Sequence, residues 1–151
     1  MNIRRFTIVF ILALIGILYF LNRKDISLVK QDSFEVVSIG NEGYMLKSVI
    51  HLHNPNLLSS TVKTISENFY VNGNKLAIMN MEIEQGIPGM KETEFPVNIR
   101  FGKADIESLL SDTSTHTIKA GVNVKGEIAF QNLFAGGTIT VDQQDSVTIT
   151  K

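Results

Sequence analysis

The sequence predicts an all-β fold, an antiparallel β-sandwich of about seven strands with one short helix, preceded by an N-terminal apolar segment. Apolar and polar residues alternate in several runs, and turns rich in Gly, Asn and Pro separate these runs. After the N-terminal segment, only one stretch has apolar residues at the spacing of a helix, whereas a βαβ fold would need a helix after nearly every strand. A two-sheet sandwich is therefore predicted, and 151 residues are enough for one domain but hardly for two.

Residues 1–24 carry a charge opposite to that of the rest of the chain. They hold four basic residues and no acidic one, whereas the remainder holds ten basic and fifteen acidic residues, a net charge of −5. Residues 6–21 form an uncharged apolar run. As a helix this run would extend about 24 Å, less than the roughly 30 Å of a bilayer core, but flanking arginines can extend its reach by snorkelling. We interpret 1–24 as a membrane anchor with a transmembrane helix at 6–21, so the lipid bilayer is a predicted partner.

A cleaved signal peptide and a buried core helix are the alternatives for this segment. Cleavage would need small residues at its end, whereas 19–23 read Tyr-Phe-Leu-Asn-Arg. Lipoprotein processing is excluded because Ile17 stands where cysteine would be needed. Arg4 and Arg5, beside a free amine, favour an N-terminus inside the cytoplasm. The membrane protein would then be single-pass, with its domain on the periplasmic or extracellular side.

The rest of the chain divides into a linker at 25–32 and a sandwich domain at 33–151. The clearest strand, 117–130, alternates apolar and polar residues over its length, which predicts one buried and one solvated face. Pro96 lacks an N–H donor and so predicts an edge strand. The spacing of Ile106, Leu109 and Leu110 predicts the short helix. Strands are predicted at 33–39, 44–53, 62–71, 76–84, 94–101 and 117–130, with one or two more in 137–150.

Two turn motifs lie between these strands. In Asn54-Pro55-Asn56, proline fixes φ and holds the preceding residue extended, so the strand cannot continue. Asparagine side chains can bond to nearby backbone, which predicts a tied corner of the sandwich. Asn72-Gly73 lies between two apolar runs and predicts a type I′ hairpin, because that turn requires positive φ at both central residues.

Histidines and carboxylates are the candidates for a metal or catalytic site. His51 and His53 share a strand face about 7 Å apart, which suits a metal, but a site needs a third ligand and His116 lies in a predicted loop. Paired acidic residues are explained by solvated strand faces and a helix N-terminus. We therefore predict no catalytic residue, no metal site and no cofactor.

Composition excludes further classes of function. The chain has no cysteine, which excludes a thiolate nucleophile and a zinc site with sulfur ligands. The acidic domain with dispersed lysines argues against nucleic acid as a partner.

One predicted strand is a candidate contact surface. Met79, Met81 and Ile83 alternate with residues that are themselves partly apolar. These side chains either pack in the core or expose an apolar strip to a lipid or protein partner.

Five motifs in order resemble a known family: "HLHNPN", "ISENFYVNGNKLA", "GIPGMKETEFPVNIRF", "IESLL" and "IKAGVNVKGEIAF". Together they resemble the group-2 late embryogenesis abundant (LEA type 2) family, also called the WHy (water stress and hypersensitive response) domain, over residues 46–149. The resemblance implies a fibronectin type III-like sandwich, often behind an N-terminal membrane helix, a link to desiccation or other stress, and no catalytic residues. Gly89 departs from the family, where a small residue such as Ala or Ser is usual.

Two functions are therefore expected. The first is a non-enzymatic, membrane-anchored protein of the LEA type 2 class that shields membrane or proteins during water loss, with lipids or client proteins as further partners. The alternative is an envelope binding module that contacts lipid or a protein assembly through Met79, Met81 and Ile83.

Overall fold

The computed structural model describes residues 3–110 and 117–150. Within them the chain forms an antiparallel β-sandwich of seven strands with one short helix between the fifth and sixth strands, as predicted, and a further helix precedes the sandwich. The elements are α1 (Ile3–Leu21), β1 (Ser27–Ser38), a 3-10 turn (Gly40–Glu42), β2 (Tyr44–Asn54), β3 (Ser60–Val71), β4 (Asn74–Ile87), β5 (Lys91–Phe101), α2 (Lys103–Leu110), β6 (Thr117–Gln131) and β7 (Gly136–Thr150).

Two antiparallel sheets face each other. One has the strand order β1-β2-β5 and the other β4-β3-β6-β7. The chain changes sheet in the β2–β3, β4–β5 and β5–β6 connections. Strand β5 is an edge strand and pairs Pro96 with Val49 of β2, which agrees with the position that the missing N–H of proline requires.

The core lies between the inner faces of the sheets. In β6 the predicted alternation is confirmed between residues 120 and 130, because every second residue except Gly126 is buried while Lys125 and Glu127 are exposed. The short helix α2 contributes Ile106, which is fully buried. The buried residues of β6 are Ala120, Val122, Val124, Ile128 and Phe130.

Strand β1 begins at Ser27, so residues 27–32, which the sequence analysis assigned to a linker, form its first half. This half pairs with β2, for example Leu28 with Leu52. Its register shifts twice, and Ser33 has a φ of 58° at the second shift. Each shift moves the side chains that follow to the opposite face, so the strand shows no simple alternation in the sequence.

The apolar N-terminal segment is helical. Within the described part of the chain, however, every helix falls short of the combined length and apolar character that crossing a membrane requires. The transmembrane helix predicted at 6–21 is corrected accordingly. The physical reason is that the uncharged run has a helical length of only about 24 Å, and Arg4 and Arg5 occupy the first turn of α1.

Antiparallel connectivity gives the sandwich two distinct ends. We call the end where α1 joins β1 the near end. It also carries the β2–β3 loop (55–59), the β4–β5 turn (88–90) and the β6–β7 turn (132–135). The opposite far end carries the β1–β2 turn, the Asn72-Gly73 turn and α2.

Candidate functional site

The junction between α1 and the sandwich is held by Asn22, which is fully buried. Its side-chain Oδ1 accepts a hydrogen bond from the backbone N–H of Leu58 at 2.5 Å, and its Nδ2 donates to the carbonyl of Leu18 at 2.6 Å. Its own carbonyl accepts from Nδ2 of Asn132 at 3.0 Å. One residue thus ties the last turn of the helix to both the β2–β3 loop and the β6–β7 turn.

Asn56 fixes the chain at Lys24, two residues after Asn22. Its Oδ1 accepts from the backbone N–H of Lys24 at 2.9 Å, and its Nδ2 donates to the Lys24 carbonyl at 2.8 Å. The side-chain amide therefore pairs with both backbone groups of one residue, as a neighbouring strand would. Asn22 and Lys24 are both fixed, so α1 passes into β1 without a flexible linker.

Asn54 organises the loop from within. Its Oδ1 accepts from both the backbone N–H and Nδ2 of Asn56, each at 3.0 Å. Its Nδ2 donates to the carbonyls of Leu58 and Ile87, again at 3.0 Å. Pro55 between the two asparagines ends β2. The local bonds follow the expectation for asparagine in a turn, but sequence reasoning missed the contact between Asn56 and Lys24.

The β4–β5 turn packs directly on this loop. The backbone N–H of Met90 donates to the carbonyl of Asn56 at 2.9 Å. A Cβ added at Gly89 would lie 2.1 Å from the carbonyl oxygen of Leu57, closer than any real contact. This backbone approach explains why the chain has glycine where the resembling family usually has Ala or Ser.

Aromatic rings join the β6–β7 turn to the helix. The ring of Phe134 meets that of Tyr19 edge-on, with centroids 6.0 Å apart and planes at 88°. The guanidinium of Arg23 lies 5.5 Å from the Tyr19 centroid, within cation–π range. Asn132 stabilises the turn, because its Oδ1 accepts from the backbone N–H groups of Phe134 and Ala135 at 2.8 and 2.6 Å.

The three near-end turns each present an exposed apolar side chain. Leu57 in the β2–β3 loop is 54% exposed, Met90 in the β4–β5 turn 65% and Leu133 in the β6–β7 turn 79%. Outside α1, and leaving aside residues 1–2, 109–118 and 150–151, whose side chains the structure does not describe, the other exposed large hydrophobic residues are Val29 and Ile78, both within strands. We call Leu57, Met90 and Leu133 the near-end tips.

The far end has different turn chemistry. Asn72 and Gly73 have φ values of 49° and 81°, the positive angles of a type I′ hairpin. The Asn72 side chain and backbone N–H both bond to the backbone of Gly121, at 3.0 and 2.9 Å. In the β1–β2 turn, Asn41 and Glu42 are exposed.

Met79, Met81 and Ile83, the predicted contact surface, lie on β4, an edge strand of the four-stranded sheet. All three are half-buried and pack against the core. The exposed apolar residue of this strand is Ile78 on the opposite face, 61% exposed.

His51 lies among carboxylates on the outer face of the three-stranded sheet. Its Nδ1 is 3.1 Å from a carboxylate oxygen of Glu92 and its Nε2 is 3.2 Å from one of Asp32. His53, two residues further, is half-buried. The described residues contain no group of three side chains arranged to hold a metal ion, and His116 lies outside the described residues.

Lys30 forms an ion pair with Asp32 on the same face. The hydrogen bond from the Lys30 ammonium lowers the pKa of the Asp32 carboxyl and raises that of Lys30. Both groups are at the surface, so the pair is a solvated one of small energetic weight.

A polar group in the core was not predicted. Glu67 on β3 is fully buried between the sheets, and its Oε2 accepts from Nε2 of Gln31 at 3.2 Å. The same Nε2 lies 3.1 Å from Oγ of Ser48, while Glu67 Oε1 has no hydrogen-bond partner. Burial raises the pKa of Glu67 to about 7. The sequence did carry a signal, because Glu67 occupies the core-facing register between Ile65 and Phe69.

Comparison with known proteins bears on the fold. No family model matches the chain, and no curated protein does. A crystal structure of a protein from Archaeoglobus fulgidus is similar, with a TM-score of 0.55 at 10% identity over 83% of this chain and 98% of that one. A protein from Arabidopsis thaliana, solved in solution, has a TM-score of 0.67 at 10% identity over 84% and 85% of the two chains.

The third similar structure carries a functional description. It is a solution structure of a candidate late embryogenesis abundant protein, with a TM-score of 0.64 at 14% identity over 83% of this chain and 71% of that one. Identities this low show the fold alone. The sandwich has an LEA type 2/WHy-like fold, in agreement with the resemblance found in the sequence motifs.

Proposed function

We propose that the chain is a non-enzymatic stress-protection protein of the LEA type 2 kind, whose sandwich is held at a lipid bilayer by α1. In this role it shields the membrane and neighbouring proteins during water loss. The observation that carries the proposal is an LEA-like sandwich joined without a flexible linker to a helix whose apolar side chains are exposed.

The surface of α1 supports the membrane part. Between Ile8 and Leu21 its large apolar side chains, apart from the half-buried Leu18, are exposed around the helix. Burying one such side chain contributes about 1.5–3 kcal/mol, so leaving the set in water is costly. Embedding demands less of a helix than crossing does, because an embedded helix needs only to bury its apolar side chains among the acyl chains and need not reach the opposite surface.

The sandwich supports the protective part. Beyond residue 24 the chain has a net charge of −5, and its acidic pairs are exposed on the strands β4 and β5 and on the helix α2. Such a surface retains water and makes weak contacts with many partners. An anchor would raise the concentration of this surface at the bilayer without adding any new contact.

We also propose that the domain faces the periplasmic or extracellular side. The support is the basic tail followed by a short apolar segment, a pattern typical of export signals, and this support does not require α1 to cross the bilayer. The chain is free of cysteine, so an Ile78→Cys variant can be treated with a membrane-impermeant thiol reagent in intact cells. Labelling before lysis is expected, and labelling only after lysis would place the domain inside.

The test of function uses the full chain in vesicles loaded with a self-quenching dye. The vesicles are dried and rehydrated, and the retained dye is measured. Vesicles that carry the protein should retain more dye than vesicles with an equal mass of an unrelated, similarly anchored acidic β-sandwich. The expected reason is that a hydrated protein surface keeps neighbouring bilayers from fusing as water leaves.

A matched variant separates anchoring from protection. Replacing Leu12 and Ile15 with Glu places charges on the exposed surface of α1 while leaving the sandwich unchanged. This variant should float less with vesicles and protect them less. Equal leakage from vesicles with the wild-type protein and with the unrelated sandwich would contradict the protective role.

A binding module is the second candidate. It is favoured by the position of β4 at a sheet edge, with apolar side chains along both faces. Met79 and Met81 pack on the core, so their replacement would disturb folding. Ile78→Glu is the better probe. Saturable binding of a lipid or envelope protein that this variant weakens would support the module, and unchanged binding would remove the strand from consideration.

A further inference from the structure

We infer that the near-end tips Leu57, Met90 and Leu133 insert into the interface of the same bilayer that holds α1, so that the sandwich docks on the lipid surface in one fixed orientation. The partner is the lipid surface itself. This inference rests on the proposed function, because it takes α1 to be embedded.

Hydrogen bonds connect the tips to the end of the helix. Asn22 at the end of α1 bonds to the backbone of Leu58 and to the side chain of Asn132, which lie beside two of the tips. The third turn joins the same unit, because the Met90 N–H donates to the Asn56 carbonyl. The three turns and the helix end therefore form one hydrogen-bonded body, and the depth of the helix sets the depth of the tips.

The β6–β7 turn reaches the level of the last helical turn of α1. Tyr19 precedes Asn22 by three residues, about 4.5 Å along the helix axis. The Phe134 ring of the β6–β7 turn contacts the Tyr19 ring, so this turn reaches below the junction, to the level of the last helical turn. Leu133 adjoins Phe134 in that turn. If Tyr19 lies at the membrane interface, where tyrosine is commonly found, then Leu133 lies there as well.

Exposed apolar residues differ between the turns of the two ends. Each near-end turn carries one such residue, whereas the β1–β2 turn and the Asn72-Gly73 turn carry none. Those two turns consist of glycine, asparagine and glutamate, together with Ile39, which is half-buried. A general excess of surface hydrophobic residues would not divide between these turns in this way.

The shape of the site favours lipid over a protein partner. The tips lie on three turns at the end from which α1 leaves the sandwich, so a partner that covers them all must also lie beside the helix. A bilayer that holds the helix meets this condition. Arg23 and Lys24, at the same point, match the phosphate groups of a lipid headgroup layer.

The experiment uses single-cysteine variants of the full chain, which is straightforward because the protein has no cysteine of its own. Leu57→Cys, Met90→Cys and Leu133→Cys are labelled with an environment-sensitive fluorophore and reconstituted in vesicles of phosphatidylethanolamine and phosphatidylglycerol. A nitroxide on the upper acyl chain of an added phosphatidylcholine then reports contact with lipid. The three labels should shift to the blue and be quenched several-fold more strongly than a label at Ile78→Cys, a comparably exposed apolar position on β4.

A label at Ser59→Cys separates insertion from mere proximity. Ser59 is an exposed polar residue of the same loop as Leu57, so its label should be quenched less by the acyl-chain nitroxide. Equal quenching at 57 and 59, or tip labels no more quenched than the label at 78, would overturn the inference. A blue shift that vanishes on dilution of protein in the membrane, without lipid quenching, would assign the tips to a second copy of the chain and would also overturn it.

A further label, at Phe10→Cys in α1, keeps the two proposals distinguishable. Quenching at 10 without quenching at the tips would leave the embedded helix intact and refute only the docking. Absence of quenching at 10 would refute the membrane part of the proposed function itself.

Discussion

The two ends of the sandwich use the same residue types in their turns for different purposes. At the far end, Asn72 is exposed, adopts a positive φ, and bonds to Gly121 of β6, the strand that already pairs with β3. At the near end, Asn22, Asn54 and Asn56 are fully buried, and their amides bond to backbone groups of segments that no strand pairing joins. Asparagine in a turn therefore extends an existing strand pair at one end, whereas at the other it connects the helix junction and the loops to one another.

The largest expected effect comes from removing a connector. Asn56→Ala deletes both bonds to Lys24 and one to Asn54, and it leaves backbone groups of Lys24 without those partners. We expect a loss of about 2–4 kcal/mol in the free energy of unfolding, measured by denaturant titration of the full chain in detergent micelles. Asn72→Gly, the matched far-end change, keeps the permitted φ and should cost only about 0.5–1 kcal/mol. Equal costs would break the distinction between the ends.

The second effect is a pH dependence of the free energy of unfolding, and it comes from Glu67 in the middle of the sandwich. Because burial raises the pKa of Glu67 from 4.5 to about 7, the folded state holds this proton more tightly than the unfolded state does. The contribution of this proton to the free energy of unfolding is on the order of 3 kcal/mol. It is fully present below about pH 4.5 and is lost as the pH rises through 7. Glu67→Gln should remove this part of the pH dependence and stabilise the protein above pH 7.

The control for this prediction is Glu127→Gln, which alters an exposed carboxylate on the adjacent strand β6. Thermal unfolding between pH 4 and 8 compares the two variants with the wild type. If Glu67→Gln and Glu127→Gln shift the profile equally, the buried carboxyl is not its source.

The smallest expected effect is on stability at a near-end tip. Leu133→Ser replaces a side chain that is largely exposed, so the free energy of unfolding in micelles should change by no more than about 0.5 kcal/mol. The core substitution Leu46→Ala should cost about 2–5 kcal/mol in the same assay. A large loss in the free energy of unfolding for Leu133→Ser would mean that the tip contributes to folding. The proposed contrast between a near end that contacts a partner and a far end that only reverses the chain would then weaken.

Patterns of local origin could be predicted from the sequence. The alternation in β6, the edge position of Pro96 and the type I′ turn at Asn72-Gly73 each depend on neighbouring residues alone. Strand β1 was located only in part because its two register shifts break the alternation on which strand prediction depends.

Contacts between distant residues could not be predicted. Asn56 meets Lys24 across 32 positions and Glu67 meets Gln31 across 36, and neither spacing follows from a helical or strand period. The Asn-Pro-Asn motif correctly predicted a turn. It could not predict that this turn binds the end of α1, because that contact depends on how the two sheets pack. The candidate site was missed for the same reason, since its tips lie on three separate turns.

The direct passage of α1 into β1 through Asn22 and Lys24 also has a mechanical consequence. A domain on a flexible tether samples a hemisphere around its anchor, whereas a domain fixed to its helix keeps a constant height. Strand β3 has twelve residues, which gives the sandwich a length of roughly 40 Å. With α1 embedded as proposed, the Asn72-Gly73 turn would be presented at that distance from the bilayer, and tension applied there would reach the helix without first drawing out slack chain.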